Sequence, residues 1–241
     1  MPLCRLLEAQ GALTSRLPAI EIKPLDGSRA LMKRLGPLDQ FDLIIFVSAN
    51  AVRFGASLLD HRRELKLAAI GPATARALNQ AGYRAAIQPE ESYDSEALLA
   101  HPALAHAALG RILIIKGSHG RDLLQRELEQ RGATVEIAEV YCRDPATPDA
   151  AALEAVEQQI AAQQLNVVTA TSLEIAKSLF QLATPTLRSA FALIPWLVPS
   201  ERVADGARQL GVEATLIVAD SAEDQDLVRA LLRWRSKESG A

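Results

Sequence analysis

The chain is short of cysteine, of aromatic residues and of any excess charge, and each shortage removes a class of function. Only Cys4 and Cys142 are present. They lie far apart and outside any CxxC pair, so neither a disulfide framework nor a cysteine zinc site is expected. That usage suits a reducing, cytoplasmic setting. His61, His101, His106 and His119 share no ligand spacing, and His101 and His106 stand five apart across Pro102, so no metal site is expected. Net charge is −3, too little basicity for a nucleic-acid binder driven by bulk charge. No apolar run approaches the ~18 residues of a membrane span. Met1-Pro-Leu-Cys-Arg5 lacks the basic-then-apolar order of a secretory signal. There is no GxGxxG after a strand, no phosphate loop of the GxxxxGK type, and no GxSxG elbow that would make Ser48 a triad nucleophile.

What is there is an α/β pattern. Apolar residues make up 49% of the 241, enough for packed cores. Leu67–Gly82, LAAIGPATARALNQAG, reads as a buried strand, a turn at Gly71, a helix opened by Pro72 and a stop at Gly82. Such a turn aims unpaired helix N–H groups past a strand's carboxyl end, where open α/β sheets bind anions. The same unit recurs. Strands are expected at 41–47, 67–70, 85–88, 111–115 and 134–141. Helices are expected at 31–35, 51–59, 72–82, 95–100 and 121–131. After the linker Asp144–Asp149, DPATPD, helices are expected at 150–163, 173–182, 201–211 and 224–235, with strands at 165–171, 191–199 and 214–219. Leu3–Gly11 reads as a helix, and Leu13–Leu25 as extended because of Pro18 and Pro24. Residues 236–241 read as a disordered tail.

The two halves also match each other. LIIFVS, ending at Ser48, lies over VVTATS, ending at Ser172. Ile70-Gly71 and its helix lie over Pro199-Ser200 and its helix. Either two generic strand–helix pairs agree by chance, or two similar α/β domains flank a cleft, which is the better reading. Ser48 and Ser172 serve as helix caps or as anion donors. Lys116-Gly-Ser-His-Gly-Arg121 is either a solvated turn or a seat for ligand carboxylates, its Lys116, His119 and Arg121 opposing a helix dipole. With three tyrosines and five phenylalanines in all, Tyr141 stands out at the end of an alternating strand, as a packing residue or a proton donor.

These segments resemble a known family in order along nearly the whole chain. FDLIIFVS (41–48) is followed by Ala51-Val52, AIGPATA (69–75) by Ala81-Gly82, and YDSEALL (93–99) comes next. Gly117 and GRDLL (120–124), then Arg131-Gly132 and VYCR (140–143), complete the series. The family is uroporphyrinogen-III synthase.

The resemblance implies two flavodoxin-like (Rossmann-like) parallel-sheet domains joined by a two-stranded linker. One would be continuous, residues 26–140. The other would combine 1–20 with 149–235, and 21–25 and 141–148 would be the linker. It implies a lyase of tetrapyrrole biosynthesis, upstream of heme, siroheme and cobalamin. Such an enzyme closes hydroxymethylbilane to uroporphyrinogen III, with loss of water and inversion of ring D, and without a cofactor. The linear tetrapyrrole would be held by Ser48, Ala49, Asn50, Gly71, Thr74, Lys116, Gly117, Arg121, Ser172, Ser200 and Arg202. Tyr141 would assist departure of water. A cytoplasmic monomer is implied, receiving its substrate from the preceding deaminase, with no nucleic acid or membrane partner.

Two departures qualify this. The family's first strand and its Thr-Arg-Pro-like segment are missing ahead of the first helix, which predicts exposed strand edges in one domain and a start site upstream. The second half reads Pro199-Ser200-Glu-Arg202 where a Gly-Pro-x-Thr-Ala block is the rule. The alternative is a two-domain anion-binding or sensor module without chemistry, which the same fold would serve.

Overall fold

A computed structural model describes residues 2–25, 27–59, 64–90, 92–105, 110–118 and 120–238. In chain order the first half holds α1 (Pro2–Glu8), β1 (Ile20–Pro24), α2 (Ser28–Leu35), β2 (Leu43–Phe46), α3 (Ala49–Gly55), β3 (Leu67–Ala69), α4 (Pro72–Gln80), α5 (Ser95–Ala100), α6 (Pro102–Ala105), β4 (Arg111–Gly117), α7 (Leu123–Gln130) and β5 (Thr134–Pro145). The second half holds α8 (Ala150–Ala161), β6 (Val168–Thr169), α9 (Leu173–Leu182), α10 (Pro185–Leu193), β7 (Trp196–Val198), α11 (Glu201–Gln209), β8 (Leu216–Val218) and α12 (Asp224–Glu238). The chain divides into two compact units, Ile22–Arg143 and Met1–Glu21 with Asp144–Ala241. It passes from one to the other inside β1 and inside β5.

The sheet of the continuous unit has the order β1-β5-β4-β2-β3, and β3, β2, β4 and β5 are parallel. Its central strand β4, with β2 and β3 beyond it, is apolar on both sides because both faces are covered there. Ile44, Phe46, Leu113, Ile115 and Val140 pack with Ala51 and Val52 of α3 and Leu78 of α4. Leu43, Ile45, Ala68, Ile112 and Ile114 pack with Leu98 and Leu99 of α5 and Leu124 and Leu128 of α7.

The other unit has a parallel sheet of order β6-β7-β8. On one face Trp196 and Val198 meet Val156, Leu179, Leu187, Phe191 and Val203 from α8 to α11. On the other, Leu197, Ile217 and Ala219 meet Leu227 and Ala230 of α12 and Leu3 of α1.

Several expected elements change. Residues 191–193, expected in a strand, end the helix α10. Thr184 caps that helix by accepting the Leu187 N–H, and Pro185 occupies its first turn, so β7 is left with Trp196–Val198. The strand expected at 165–171 is reduced to Val168–Thr169. That expected at 85–88 is a single bridge from Ile87 to Ala68. Conversely, β4 runs on through Lys116 and Gly117, which were expected in a turn. Ser236–Glu238 continue α12 where a disordered tail was expected. Asp224 and Asp226 in its first turn and Arg235 and Lys237 in its last all complement the helix dipole. Residues 239–241 lie outside the described residues. Among the described residues no helix is long and apolar enough to cross a membrane, and no group of His, Cys, Asp and Glu is arranged to hold a metal.

Candidate active site

Because β2, β3, β4 and β5 are parallel, their carboxyl ends share one edge of the sheet. Ser48 follows β2, Gly71 follows β3, Gly117 ends β4, and Tyr141 lies opposite Gly117 on β5. Three of the expected residues meet there. The Tyr141 hydroxyl is 3.1 Å from Ser48 Oγ. Ser48 Oγ also accepts the Ala51 N–H at 2.9 Å and so caps α3. Gly117 lies against the Tyr141 ring so closely that a Cβ would stand 2.5 Å from Cζ. The Ser118 N–H donates to the Tyr141 carbonyl at 2.8 Å, and Phe54 of α3 stacks on the ring with centroids 5.8 Å apart. Tyr141 is 4% exposed. Ala49 is exposed and Asn50 half-buried, as the first residues of α3.

Gly71 has a different role from the one its turn suggests. Its φ is −179°, extended backbone open to any residue. What requires glycine is Tyr93, whose Cβ would lie 2.8 Å from a Cβ at position 71. Tyr93 itself is exposed. The first α-helical bond of α4 runs from the Ala75 N–H to the Gly71 carbonyl, so the Ala73 and Thr74 N–H groups precede the helical ladder. The Thr74 side chain is buried. Beside Tyr93, Asp94 caps α5 by accepting the Ala97 N–H at 2.8 Å and also accepts from the Ser92 hydroxyl. The Ala97 N–H first, then Ser92, hold its carboxyl below the usual aspartate range.

Lys116 is turned into its own loop. It is 7% exposed, and its Nζ donates to the Gly120 carbonyl at 3.2 Å and to Asp122 Oδ1 at 3.3 Å. A buried ammonium needs such partners, and here they fasten the loop after β4. A depression of about 490 Å³ includes Lys116 among its walls and none of the other expected residues. Arg121 is exposed and pairs with Glu96 at 3.2 Å. His61, His106 and His119 lie outside the described residues. His101 Nδ1 accepts the Ala103 N–H at 3.2 Å, a local turn contact.

In the other unit Ser172, Ser200 and Arg202 occupy the carboxyl edge of the β6-β7-β8 sheet. Ser172 Oγ accepts the Ile175 N–H at 3.2 Å and caps α9. Ser200 stands at the cap position of α11 without a side-chain cap bond, and Arg202 is exposed in the first turn. Phe54 and Tyr93 are not among the residues expected at the site. Phe54 stands three positions after the buried Ala51, on the inward flank of α3; Tyr93 opens the YDSEALL segment that carries the resemblance, without a site role assigned to it.

A family model for uroporphyrinogen-III synthase HemD matches residues 2–229. The chain belongs to the uroporphyrinogen-III synthase family. It is similar to the uroporphyrinogen-III synthase of Escherichia coli K12, 35% identical over 232 residues that make up 93% of this chain and 92% of that protein. The Salmonella typhimurium LT2 uroporphyrinogen-III synthase is also 35% identical, over 231 residues, with the same coverage of both chains. Among solved structures, uroporphyrinogen-III synthetase from Helicobacter pylori 26695 aligns with a TM-score of 0.57 at 14% identity. That alignment covers 90% of this chain and 91% of the other. A mutant uroporphyrinogen III synthase from the extremely thermophilic bacterium Thermus thermophilus aligns with a TM-score of 0.54 at 20% identity, covering 98% and 94%. These structural likenesses establish the α/β fold of the uroporphyrinogen-III synthase family for this chain.

Proposed function

We propose that this member of the family closes hydroxymethylbilane to uroporphyrinogen III, with loss of water and inversion of ring D. Support comes from similarity over nearly the full length of synthases so named. The observation that carries the mechanism is the Tyr141 hydroxyl held at the carboxyl edge of a parallel sheet, 3.1 Å from Ser48 Oγ. Tyr141 protonates the terminal hydroxymethyl group, which leaves as water. The electrophilic azafulvene so formed attacks ring D at its substituted carbon, and the spiro intermediate rearranges to the inverted ring. Without an enzyme the chain closes uninverted, so the protein's contribution is mainly geometric.

The substrate's eight carboxylates need donors that are not already spent. In the continuous unit the Ala73 and Thr74 N–H groups beside Gly71 meet that need, and in the other unit the first turns of α9 and α11 after Ser172 and Ser200 and the exposed Arg202 guanidinium do; Arg121 would have to exchange its pairing with Glu96 for a substrate carboxylate. Lys116 holds its own loop instead. The enzyme acts as a cytoplasmic monomer fed by the deaminase that makes the bilane, and its product serves heme, siroheme and cobalamin synthesis.

The test is to incubate the protein with freshly prepared hydroxymethylbilane, oxidise, and separate the porphyrin isomers. Isomer III in excess over the protein-free control is the expected result; isomer I alone overturns the proposal.

A further inference from the structure

We infer that Ser48 and Gly117 are positioning residues for the Tyr141 hydroxyl, and that Ser48 acts through Tyr141 instead of holding a substrate carboxylate. The inference rests on the proposed role of Tyr141 as proton donor. A hydroxyl has one proton and two acceptor sites. Ser48 Oγ uses one acceptor site for the Ala51 N–H at 2.9 Å and faces the Tyr141 oxygen at 3.1 Å. For Tyr141 to give its proton away, Ser48 must be the donor of that pair. The order is then Ala51 N–H to Ser48 Oγ, Ser48 O–H to the Tyr141 oxygen, and Tyr141 O–H to the substrate. The amide polarises the serine hydroxyl, and that hydroxyl stabilises the phenolate left behind.

The step balances. The tyrosine proton joins the terminal hydroxyl group, the C–O bond breaks with its electrons going to the oxygen of the departing water, and the pyrrole nitrogen lone pair completes the azafulvene cation. The phenolate recovers a proton when ring D loses one on regaining aromaticity after closure.

Gly117 makes the geometry possible. A Cβ there would lie 2.5 Å from Tyr141 Cζ and 2.6 Å from Cε2, so any other residue displaces the hydroxyl-bearing end of the ring. The register of β4 against β5 shifts between Lys116 and Gly117, which brings Gly117 opposite Tyr141. Phe54 packs along the ring as well, leaving the nearly buried side chain little freedom to shift.

The experiment measures kcat and KM for bilane closure in Tyr141→Phe, Ser48→Ala, Ser48→Thr, Gly117→Ala, and the doubles Ser48→Ala/Tyr141→Phe and Gly117→Ala/Tyr141→Phe. Tyr141→Phe is expected to lower kcat about 100-fold, the scale of a lost general acid. Ser48→Ala is expected to lower kcat about tenfold, the worth of one hydrogen bond, with KM unchanged, and Ser48→Thr to recover the rate. Gly117→Ala lowers kcat as well, and neither double is slower than Tyr141→Phe alone. If Ser48→Ala raises KM instead, or multiplies onto Tyr141→Phe, Ser48 binds substrate and the inference is overturned. The Ser48 series decides this even if Gly117→Ala does not fold. A wild-type rate in Tyr141→Phe is a separate outcome: it removes Tyr141 from the mechanism and the inference with it.

Discussion

Both units repeat one local device, a short parallel strand followed within three residues by a serine that opens a helix, and they use it differently. Ser172 and Ser48 each cap the helix that follows, through the N–H of Ile175 and of Ala51. Ser172 stops there. Ser48 also faces a tyrosine 93 positions away, and that second contact turns a cap into part of a site. The sheets differ as well. In the continuous unit β4 and β5 are seven and twelve residues long. In the other unit the strands have two or three residues. That small sheet is buttressed by an aromatic cluster in which Trp196 stacks on Phe180, meets Phe191 edge-on and donates its Nε1–H to the Phe191 carbonyl. Both sheets are covered on both faces; the continuous unit adds two long strands, and the other unit a cluster of large aromatic side chains.

Trp196→Ala should cost its unit about 3–5 kcal/mol, as removal of a fully buried aromatic does. Hydrogen exchange read by mass spectrometry should show the loss in peptides from residues 168–219. A cost below about 1 kcal/mol would mean that the cluster does not hold the short sheet.

Next come the two serines. Ser48→Ala and Ser172→Ala should each lose about 1 kcal/mol in urea unfolding, the value of a helix cap. Only Ser48→Ala should lower kcat; any effect of Ser172→Ala on turnover should fall on KM. Equal loss of kcat in both would erase the distinction drawn between the units.

The smallest effect concerns Asp94. Its folded carboxyl lies below the ordinary range, so its contribution to capping α5 is present above the unfolded value and lost as pH falls through the folded one. Amide signals of residues 95–100 should loosen in acid at that point, and Asp94→Asn, which keeps a capping oxygen, should abolish the transition. A transition that persists in Asp94→Asn would assign it to another group.

The family was legible in the order of its segments, and so was much of the strand–helix alternation. The signals behind these readings are local: apolar runs for strands covered on both faces, Gly82, Gly132 and Gly211 at positive φ just past helix ends, and Ser48, Ser172 and Asp94 at caps. The structure departs from the local reading at places where a local signal had two outcomes. Phe191-Ala-Leu-Ile reads equally as strand or as the end of a helix, and the Thr184 cap with Pro185 chose the helix. Lys116 could face a ligand or its own loop, and the carbonyl and carboxylate of Gly120 and Asp122 drew it inward. Gly71 looked like a turn glycine, yet its backbone is extended and it is the Tyr93 side chain that needs the space.

By itself the sequence determined the alternation of strand and helix and the cap chemistry at the helix starts, because a cap or a helix stop depends on residues within about four positions of one another. Tertiary structure alone decided that Ser48, Gly117 and Tyr141 meet. Their contact depends on the parallel register of β2, β4 and β5 and on a one-step shift in that register at Gly117. Register is a property of strands brought together from distant parts of the chain, and no single segment contains it.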